Sequence, residues 1–157
     1  MNDSADDTLL NFAYGSNLAT TFVRQYCPSA TFVMRAQLPN YEVQFRFYSE
    51  PRQGGISTII ETPGALVHGV IYRIDRREIE ELDVIERLHL GLYKREPFLV
   101  HGEDGAWHTA ELYRVTTPDG PFPAAKSYVD QMIEGAREHG LDAAYTQKLV
   151  DLRRSLD

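Results

Sequence analysis

Features that mark several protein classes are scarce or absent in this sequence of 157 residues. It has a single cysteine, Cys27, which excludes an internal disulfide and is typical of a reducing compartment. No segment approaches the ~20 apolar residues that a membrane-spanning helix needs. The opening segment, MNDSADDTLL, is acidic and lacks the apolar centre of a signal peptide. We therefore expect a cytoplasmic protein with neither leader nor membrane anchor.

Basic clusters are also missing. The chain has 16 Lys and Arg against 23 Asp and Glu, a net charge of -7, which argues against binding to a nucleic-acid backbone. We found no repeat, low-complexity tract or dividing linker. The length is that of one domain, long enough to bury a core without disulfides or metals. We predict a single domain over residues 8–157, preceded by a flexible tail at 1–7.

Most of the chain before residue 116 has strand-type patterns. They comprise the alternating segment 42–48, the segment 56–62 between Gly54-Gly55 and Pro63-Gly64, the β-branched run 66–74 with Gly69 at a bulge or close approach, and a hairpin over 93–115 that turns at 102–105. Helical spacing is found at 75–87, where Asp75 and Glu78 predict a capping box, at 124–140, where Gly140 ends the helix, and at 142–156.

These elements predict an α+β fold. About six or seven consecutive strands joined by tight turns have to pair largely antiparallel. The crossover helices of a doubly wound sheet are missing. We therefore expect a small mixed, mostly antiparallel and barrel-like sheet with flanking helices.

The segment NFAYGSNLATTF, residues 11–22, predicts a turn from a strand into a helix. Leu9 to Ala13 form a short apolar strand that Gly15 ends, and Leu18, Phe22 and Val23 then recur at helical spacing. Ser16 and Asn17 are good N-cap residues. The backbone amides of such a turn suit an anion or a developing oxyanion. A well-made turn without a ligand is the alternative.

Glu86 stands out in the predicted helix 75–87. At 100° per residue its side chain lies about 20° from Ile79, between Ile79 and Leu82 on the apolar face. Burial favours the neutral form of a carboxyl group, which raises its pKa towards the value that proton transfer near neutral pH requires. The alternative is a side chain that turns out to solvent or pairs with a nearby arginine.

Other candidate sites have weaker patterns. The five histidines show no HxxxH spacing and no cysteine partner, so His101 and His108, facing across the hairpin, are the one pair suited to a metal. Ser16 lacks the GxSxG elbow of a serine nucleophile. Gly15 belongs to neither GxGxxG nor a Walker loop. Tyr93, Tyr113 and Tyr128 are either core aromatics or hydroxyl groups in a pocket.

Five segments taken together give a resemblance to a known family. They are FAYGSNL at 12–18, GGISTI at 54–59, LDVIE at 82–86, GLY at 91–93 and EGAREHGL at 134–141. In this order, from about residue 10 to residue 150, they resemble the γ-glutamylcyclotransferase family. The resemblance implies a small barrel-like sheet with flanking helices. It also implies an intramolecular aminolysis that converts a γ-glutamyl amine or amino acid, as in glutathione metabolism, to 5-oxoproline and the free amine, without cofactor or metal.

The resemblance also assigns roles to residues. Glu86 falls on the family's catalytic glutamate, and the substrate-binding positions fall on Tyr14, Gly15, Ser16, Asn17, Tyr93, Tyr113 and Tyr128. Arg87 stands where the family usually has glycine, which leaves the identity of the γ-glutamyl substrate open. Two alternatives remain: an enzyme of this fold acting on another γ-glutamylated, biosynthetic substrate, and a non-catalytic ligand-binding module. The resemblance is also compatible with a homodimer.

Overall fold

The protein folds around a closed five-stranded barrel. The structure, a computed structural model, describes residues 7–85 and 91–157. Within these residues the strands are β1 (Thr8–Ala13), β2 (Thr31–Ser49), β3 (Gly54–Asp75), β4 (Tyr93–Gly102) and β5 (Trp107–Val115). The helices are α1 (Thr20–Tyr26), α2 (Arg76–Ile85), α3 (Lys126–Glu138) and α4 (Ala143–Ser155), and a short 3-10 helix spans Ser16–Leu18.

The barrel has the order β1-β3-β2-β4-β5 and closes where β5 meets β1. Its neighbours are antiparallel except for β1 and β5, which pair in parallel at Asn11 and Glu111. The prediction of an α+β fold with a mixed, mostly antiparallel and barrel-like sheet is confirmed. Strand β1 begins at Thr8, the first residue of the predicted domain. Apart from Asp7, the predicted tail lies outside the described residues.

The predicted number of strands, six or seven, is wrong because β2 and β3 are long. The segments 56–62 and 66–74 belong to one strand, and the segment 42–48 is the second half of another that starts at Thr31. Pro63-Gly64 forms an irregularity in β3 instead of a turn. Gly64 has a φ of +88°, and its amide donates to Asn40 Oδ1 over 3.0 Å. The register shifts between Pro39 and Tyr41 at this point, and such bulges increase the bend of a strand pair.

Two apolar clusters lie on the two faces of the sheet. One consists of strand residues together with Tyr14 and fills the barrel, with Phe12, Ile71, Val100 and Leu112 almost fully buried. The other lies between the barrel and the helices and includes Leu18, Tyr72, Ile79 and Met132. Because β3 is buried on both faces between residues 70 and 72, its sequence is continuously apolar there instead of alternating.

The helix ends are partly as predicted. Gly140 has a φ of +63° and lies just after α3, where the amide of Leu141 donates to the carbonyl of Ala136. The capping box of Asp75 and Glu78 is wrong in detail because Ser29 lies between them. Ser29 Oγ donates to Glu78 Oε1 over 2.6 Å and accepts the amide of Asp75 over 2.8 Å.

The turn after β1 differs from the predicted cap. Ser16 and Asn17 form the first turn of the 3-10 helix, and α1 starts only at Thr20 with Ala19 as its N-cap. No side chain caps either helix. The N-cap role that we predicted for Ser16 and Asn17 is therefore wrong. None of the described helices is both long and apolar enough to cross a bilayer.

Candidate active site

A cavity of about 140 Å³ opens where the turn after β1 meets β3, β4, β5 and α3. All seven positions predicted to bind substrate line it, namely Tyr14, Gly15, Ser16, Asn17, Tyr93, Tyr113 and Tyr128. They come from four separate parts of the chain, and barrel closure brings them together. The structure thus places the predicted binding residues around one space.

Gly15 lies against the wall of this cavity with no room for a side chain. A Cβ atom at this position would be 2.2 Å from the hydroxyl oxygen of Tyr128 and 2.7 Å from Ser57 Oγ. These two oxygens are themselves hydrogen bonded over 2.8 Å, with either as the donor. Glycine is therefore required here by close packing, since its φ of -110° is open to other residues.

Two backbone amides at the start of the 3-10 helix are available to a ligand. The two bonds within this turn run from Leu18 N to Gly15 O and from Ala19 N to Ser16 O. The amides of Ser16 and Asn17 thus have no partner inside the turn, as is general for the first residues of a helix. Ser16 is buried and Asn17 is partly buried, and both face the cavity. This part of the wall can donate to an anionic or carbonyl oxygen.

Tyr14 and Tyr113 connect the turn to the far side of the barrel. The hydroxyl of Tyr14 donates to the backbone carbonyl of Tyr113, which ties the end of β1 to β5. The hydroxyl of Tyr113 donates to Asp83 Oδ1 over 2.7 Å. Tyr113 therefore has one face in the cavity and its hydroxyl in contact with helix α2.

Asp83 belongs to a network of charged groups beside the cavity. Arg95 donates to Asp83 through Nε and Nη2, each over 2.9 Å, and to Glu111 through Nη1. Hydrogen bonding to Asp83 raises the pKa of Arg95 above its usual range. Because the side chains of Arg95 and Asp83 are less than a fifth exposed, this bidentate pair is well shielded from solvent. It fixes the last turn of α2 against β4 and β5.

Aromatic packing sets the positions of Tyr93 and Tyr128. The ring of Tyr93 lies 5.4 Å from that of Phe47, and the ring of Tyr128 lies edge-on to Phe45 at 6.4 Å. Tyr128 is 8% exposed, and its hydroxyl reaches Ser57 at the buried end of the cavity. Both tyrosines thus serve as wall residues in this cavity and also pack against neighbouring rings.

The sequence did not identify every residue of the wall. Arg52 and Ser57 both line the cavity. Ser57 lies within GGISTI, a segment that carried the resemblance, so that segment was a usable signal. Arg52 follows Pro51 in a turn, and no spacing or motif marks it.

Glu86, the predicted catalytic residue, and Arg87 lie outside the described residues. The pair suggested for a metal, His101 and His108, is not directly opposed, because His101 pairs with Trp107. His108 Nε2 lies 2.9 Å from Asp104, and His101 packs against the ring of Trp107. Within 7–85 and 91–157 no three His, Cys, Asp or Glu side chains are grouped so that they could hold a metal ion.

Comparisons with known proteins agree on one family. The model of the AIG2-like family matches residues 66–149. The γ-glutamylcyclotransferase of Mus musculus is 35% identical over 147 residues, covering 91% of this chain and 78% of the mouse protein. That of Homo sapiens is 32% identical over 148 residues, with 92% and 78% covered. A solved structure of a γ-glutamyl cyclotransferase superposes with a TM-score of 0.85 at 32% identity, covering 90% of this chain and 86% of that one.

Proposed function

The chain belongs to the γ-glutamylcyclotransferase family, and we propose that it is an enzyme that cyclises the γ-glutamyl group of an amino acid or amine to 5-oxoproline. In this reaction the α-amino nitrogen of the substrate attacks its own γ-carbonyl carbon. The bond between that carbon and the nitrogen of the leaving group then breaks, and the free amine departs. No electron is gained or lost, so the proposed reaction needs no redox cofactor.

The observation that carries this proposal is the cavity above Gly15, with its buried and neutral polar end. A cavity of ~150 Å³ can hold a six-membered ring. The volume of about 140 Å³ thus suits the five-membered ring that the product contains. The γ-glutamyl chain has to fold back on itself to close this ring, and confinement in a small space contributes to the rate by removing unproductive conformations.

The amides of Ser16 and Asn17 are the donors that we propose for the substrate. They suit either the α-carboxylate of the γ-glutamyl group or the oxyanion that forms as nitrogen attacks the carbonyl. The hydroxyls of Ser57 and Tyr128, which are hydrogen bonded to each other, add neutral polar groups at the same buried end. Glycine is needed at position 15 because a Cβ atom there would collide with the hydroxyl oxygens of Tyr128 and Ser57, which form this end of the cavity.

We propose Glu86 as the general acid and base. It takes a proton from the α-amino group as this group attacks, and it delivers one to the departing nitrogen. Two observations support this assignment. The residue before Glu86 is the last residue of α2, and the Asp83–Arg95 pair holds this end of the helix beside Tyr113, a cavity residue.

We also propose that the protein is cytoplasmic and that it forms a homodimer. The free thiol of Cys27 supports this location. It is fully buried, and burial raises its pKa to about 12. Size-exclusion chromatography with light scattering tests the dimer.

The experiment that tests the function is release of 5-oxoproline from a panel of substrates. The panel contains γ-glutamyl dipeptides, γ-glutamyl amines and glutathione, with 5-oxoproline and the free amine both measured. We expect equal amounts of the two products from at least one dipeptide. Saturable binding of these compounds without turnover would support a ligand-binding module instead.

A further inference from the structure

Arg52 is a wall residue of the cavity that the proposed mechanism does not use. It lies in the turn between β2 and β3, and its side chain is partly buried. Among the described residues that line the cavity it is the one with a permanently charged side chain. The protein as a whole carries a net charge of -7, so a cation at this place is a local exception.

Two aromatic rings and a serine hold the guanidinium group of Arg52. Its Cζ atom lies 5.0 Å from the ring centroid of Tyr128 and 5.3 Å from that of Phe22. Nη1 donates to Ser127 Oγ over 3.3 Å. Stacking on rings orients a guanidinium group while leaving its charge and most of its five N–H donors available. The group is therefore positioned in advance for a ligand.

The charge of Arg52 has no counter-ion within the described part of the chain. No Asp or Glu of residues 7–85 and 91–157 forms an ion pair with it, whereas Arg95 is paired with both Asp83 and Glu111. Arg95 thus has a structural role next to the cavity. Among the described residues no carboxylate pairs with Arg52, and a carboxylate is the group that matches a guanidinium group best.

The neutral donors and the cation lie at different places in the cavity. Gly15, Ser57 and the hydroxyl of Tyr128 form a buried end without charge. Arg52 lies over the face of the Tyr128 ring, on the more exposed side. In the binding mode that we consider, the γ-glutamyl group occupies the buried end and the leaving group extends towards Arg52.

We propose that Arg52 binds the carboxylate of the leaving amino acid and thereby makes γ-glutamyl amino acids better substrates than γ-glutamyl amines. This inference rests on the proposed function and narrows it. Arg52 takes no part in making or breaking bonds, because the carboxylate leaves unchanged with the departing amino acid. It is a residue that determines specificity.

Two substrates separate the effect of the leaving group's carboxylate from that of the rest of the molecule. The leaving groups of γ-glutamylalanine and γ-glutamylethylamide, alanine and ethylamine, differ only by this group. Arg52→Met keeps an unbranched apolar side chain and removes the guanidinium group with its charge. We expect kcat/KM for γ-glutamylalanine to fall by about 10- to 100-fold. That for γ-glutamylethylamide should change by less than about threefold.

Two further variants serve as controls. Arg73→Met removes the same charge at an exposed position of β3 outside the cavity, and we expect it to leave the ratio of the two kcat/KM values unchanged. Arg52→Lys keeps the charge without the planar fork, and it should restore part of the preference. Equal losses on both substrates, or no loss in Arg52→Met, would overturn the assignment.

Binding measurements separate this inference from the proposed function. The dissociation constants of both compounds are measured by calorimetry with Glu86→Gln and with the double variant Glu86→Gln/Arg52→Met. We expect Glu86→Gln to bind γ-glutamylalanine more tightly than γ-glutamylethylamide, and the double variant to bind the two compounds equally. This result supports the role of Arg52 even if the native protein releases no 5-oxoproline. An unchanged ratio of the two constants rules it out, whatever the outcome for catalysis.

Discussion

The polar groups at the buried end of the cavity are neutral donors that the fold holds in place. Ser57 and Tyr128 are hydrogen bonded to each other, and Ser16 and Asn17 line the same space. Such donors stabilise developing negative charge without the cost of burying a permanent charge. The proton transfers of the proposed reaction therefore require a separate ionisable group, which is the part assigned to Glu86.

Replacement of Glu86 by glutamine tests this assignment. We expect kcat to fall by roughly 10²–10⁴-fold, since this is the usual contribution of a general acid or base. The melting temperature should change little, because the two side chains have the same shape. Glu81→Gln, at an exposed position of α2, is the matched control and should retain full activity. Near-native turnover by Glu86→Gln would remove Glu86 from the mechanism.

A substrate with an acetylated α-amino group tests which atom is the nucleophile. If the substrate's own nitrogen attacks, N-acetyl-γ-glutamyl compounds bind without closing the ring. Ser16→Ala should then remain active with a loss of at most ~1–3 kcal/mol in transition-state stabilisation, because the backbone amide survives. Mass spectrometry of the products distinguishes attack by the substrate nitrogen from attack by the serine hydroxyl. Glutamate as the product, together with complete loss of activity in Ser16→Ala, would instead show attack by the serine hydroxyl.

At the scale of elements, helix α2 is joined to strands β4 and β5 by the pair of Asp83 and Arg95. Arg95 lies between Asp83 and Glu111, so its removal leaves two partly buried carboxylates facing each other. The same pair supports the hydroxyl of Tyr113 through Asp83. The geometry of the cavity thus depends on how the helix docks on the barrel.

Arg95→Met tests this docking. We expect a loss of about 1–3 kcal/mol in the free energy of unfolding, measured with urea, since hydrogen bonds to charged groups contribute about this much. We also expect a lower kcat through the displaced end of α2. Arg114→Met, which removes a single ion pair with Glu96 that is more exposed than the pair of Arg95 and Asp83, should cost less than about 1 kcal/mol. Equal effects of the two variants would contradict a special role for Arg95.

A second contact between elements lies behind the turn after β1. The hydroxyl of Tyr72 donates to the carbonyl of Leu18 over 2.9 Å, and the hydroxyl oxygen of Tyr72 also lies 2.9 Å from His139 Nε2. His139 also stacks on Phe32 at 4.7 Å. Strand β3 and the end of α3 together therefore hold the 3-10 helix that presents the amides of Ser16 and Asn17.

At the scale of the whole molecule, we expect two histidines to make the free energy of unfolding depend on pH. Burial lowers the pKa of His68 and of His139 below their usual value of 6.5, and it outweighs the opposing effects of Asp142 and Glu138. Below about pH 6.5 the unfolded chain therefore binds more protons at these two histidines than the folded chain does. The free energy of unfolding should be fully retained above this pH and should decrease as the pH falls below it.

Urea unfolding at several pH values between 5.5 and 8 measures this effect. Carboxylates such as Glu103 do not titrate in this range. Hydrogen bonding from Arg35 lowers the pKa of Glu103 below its usual 4.5, so the contribution of Glu103 to stability is lost only in more acidic solution. His68→Gln and His139→Gln should each reduce the slope of stability against pH. A stability that stays constant or rises towards pH 5.5 would be inconsistent with buried neutral imidazoles.

The sequence by itself determined the fold class, the hairpin over 93–115 and seven of the fifteen residues that line the cavity. Alternation, helical spacing and glycine turns are local signals, and they located α2, α3, α4 and the turn at Gly15. The family resemblance carried by five short segments then assigned seven wall residues, all of which lie around one cavity. Three of these segments, FAYGSNL, GGISTI and GLY, contribute residues to this wall, and close packing around one small space restricts their residue types.

Only the tertiary structure decided the rest. Residues 31–41 form a strand because β3 and β4 pair with them, and Pro63-Gly64 continues a strand because Asn40 satisfies the amide of Gly64. Ser29 enters the cap of α2 from 46 residues away. Arg52 reaches the cavity through rings from α1 and α3. Each of these contacts joins residues that are distant along the chain, so no local pattern encodes it, and it forms only when the barrel closes.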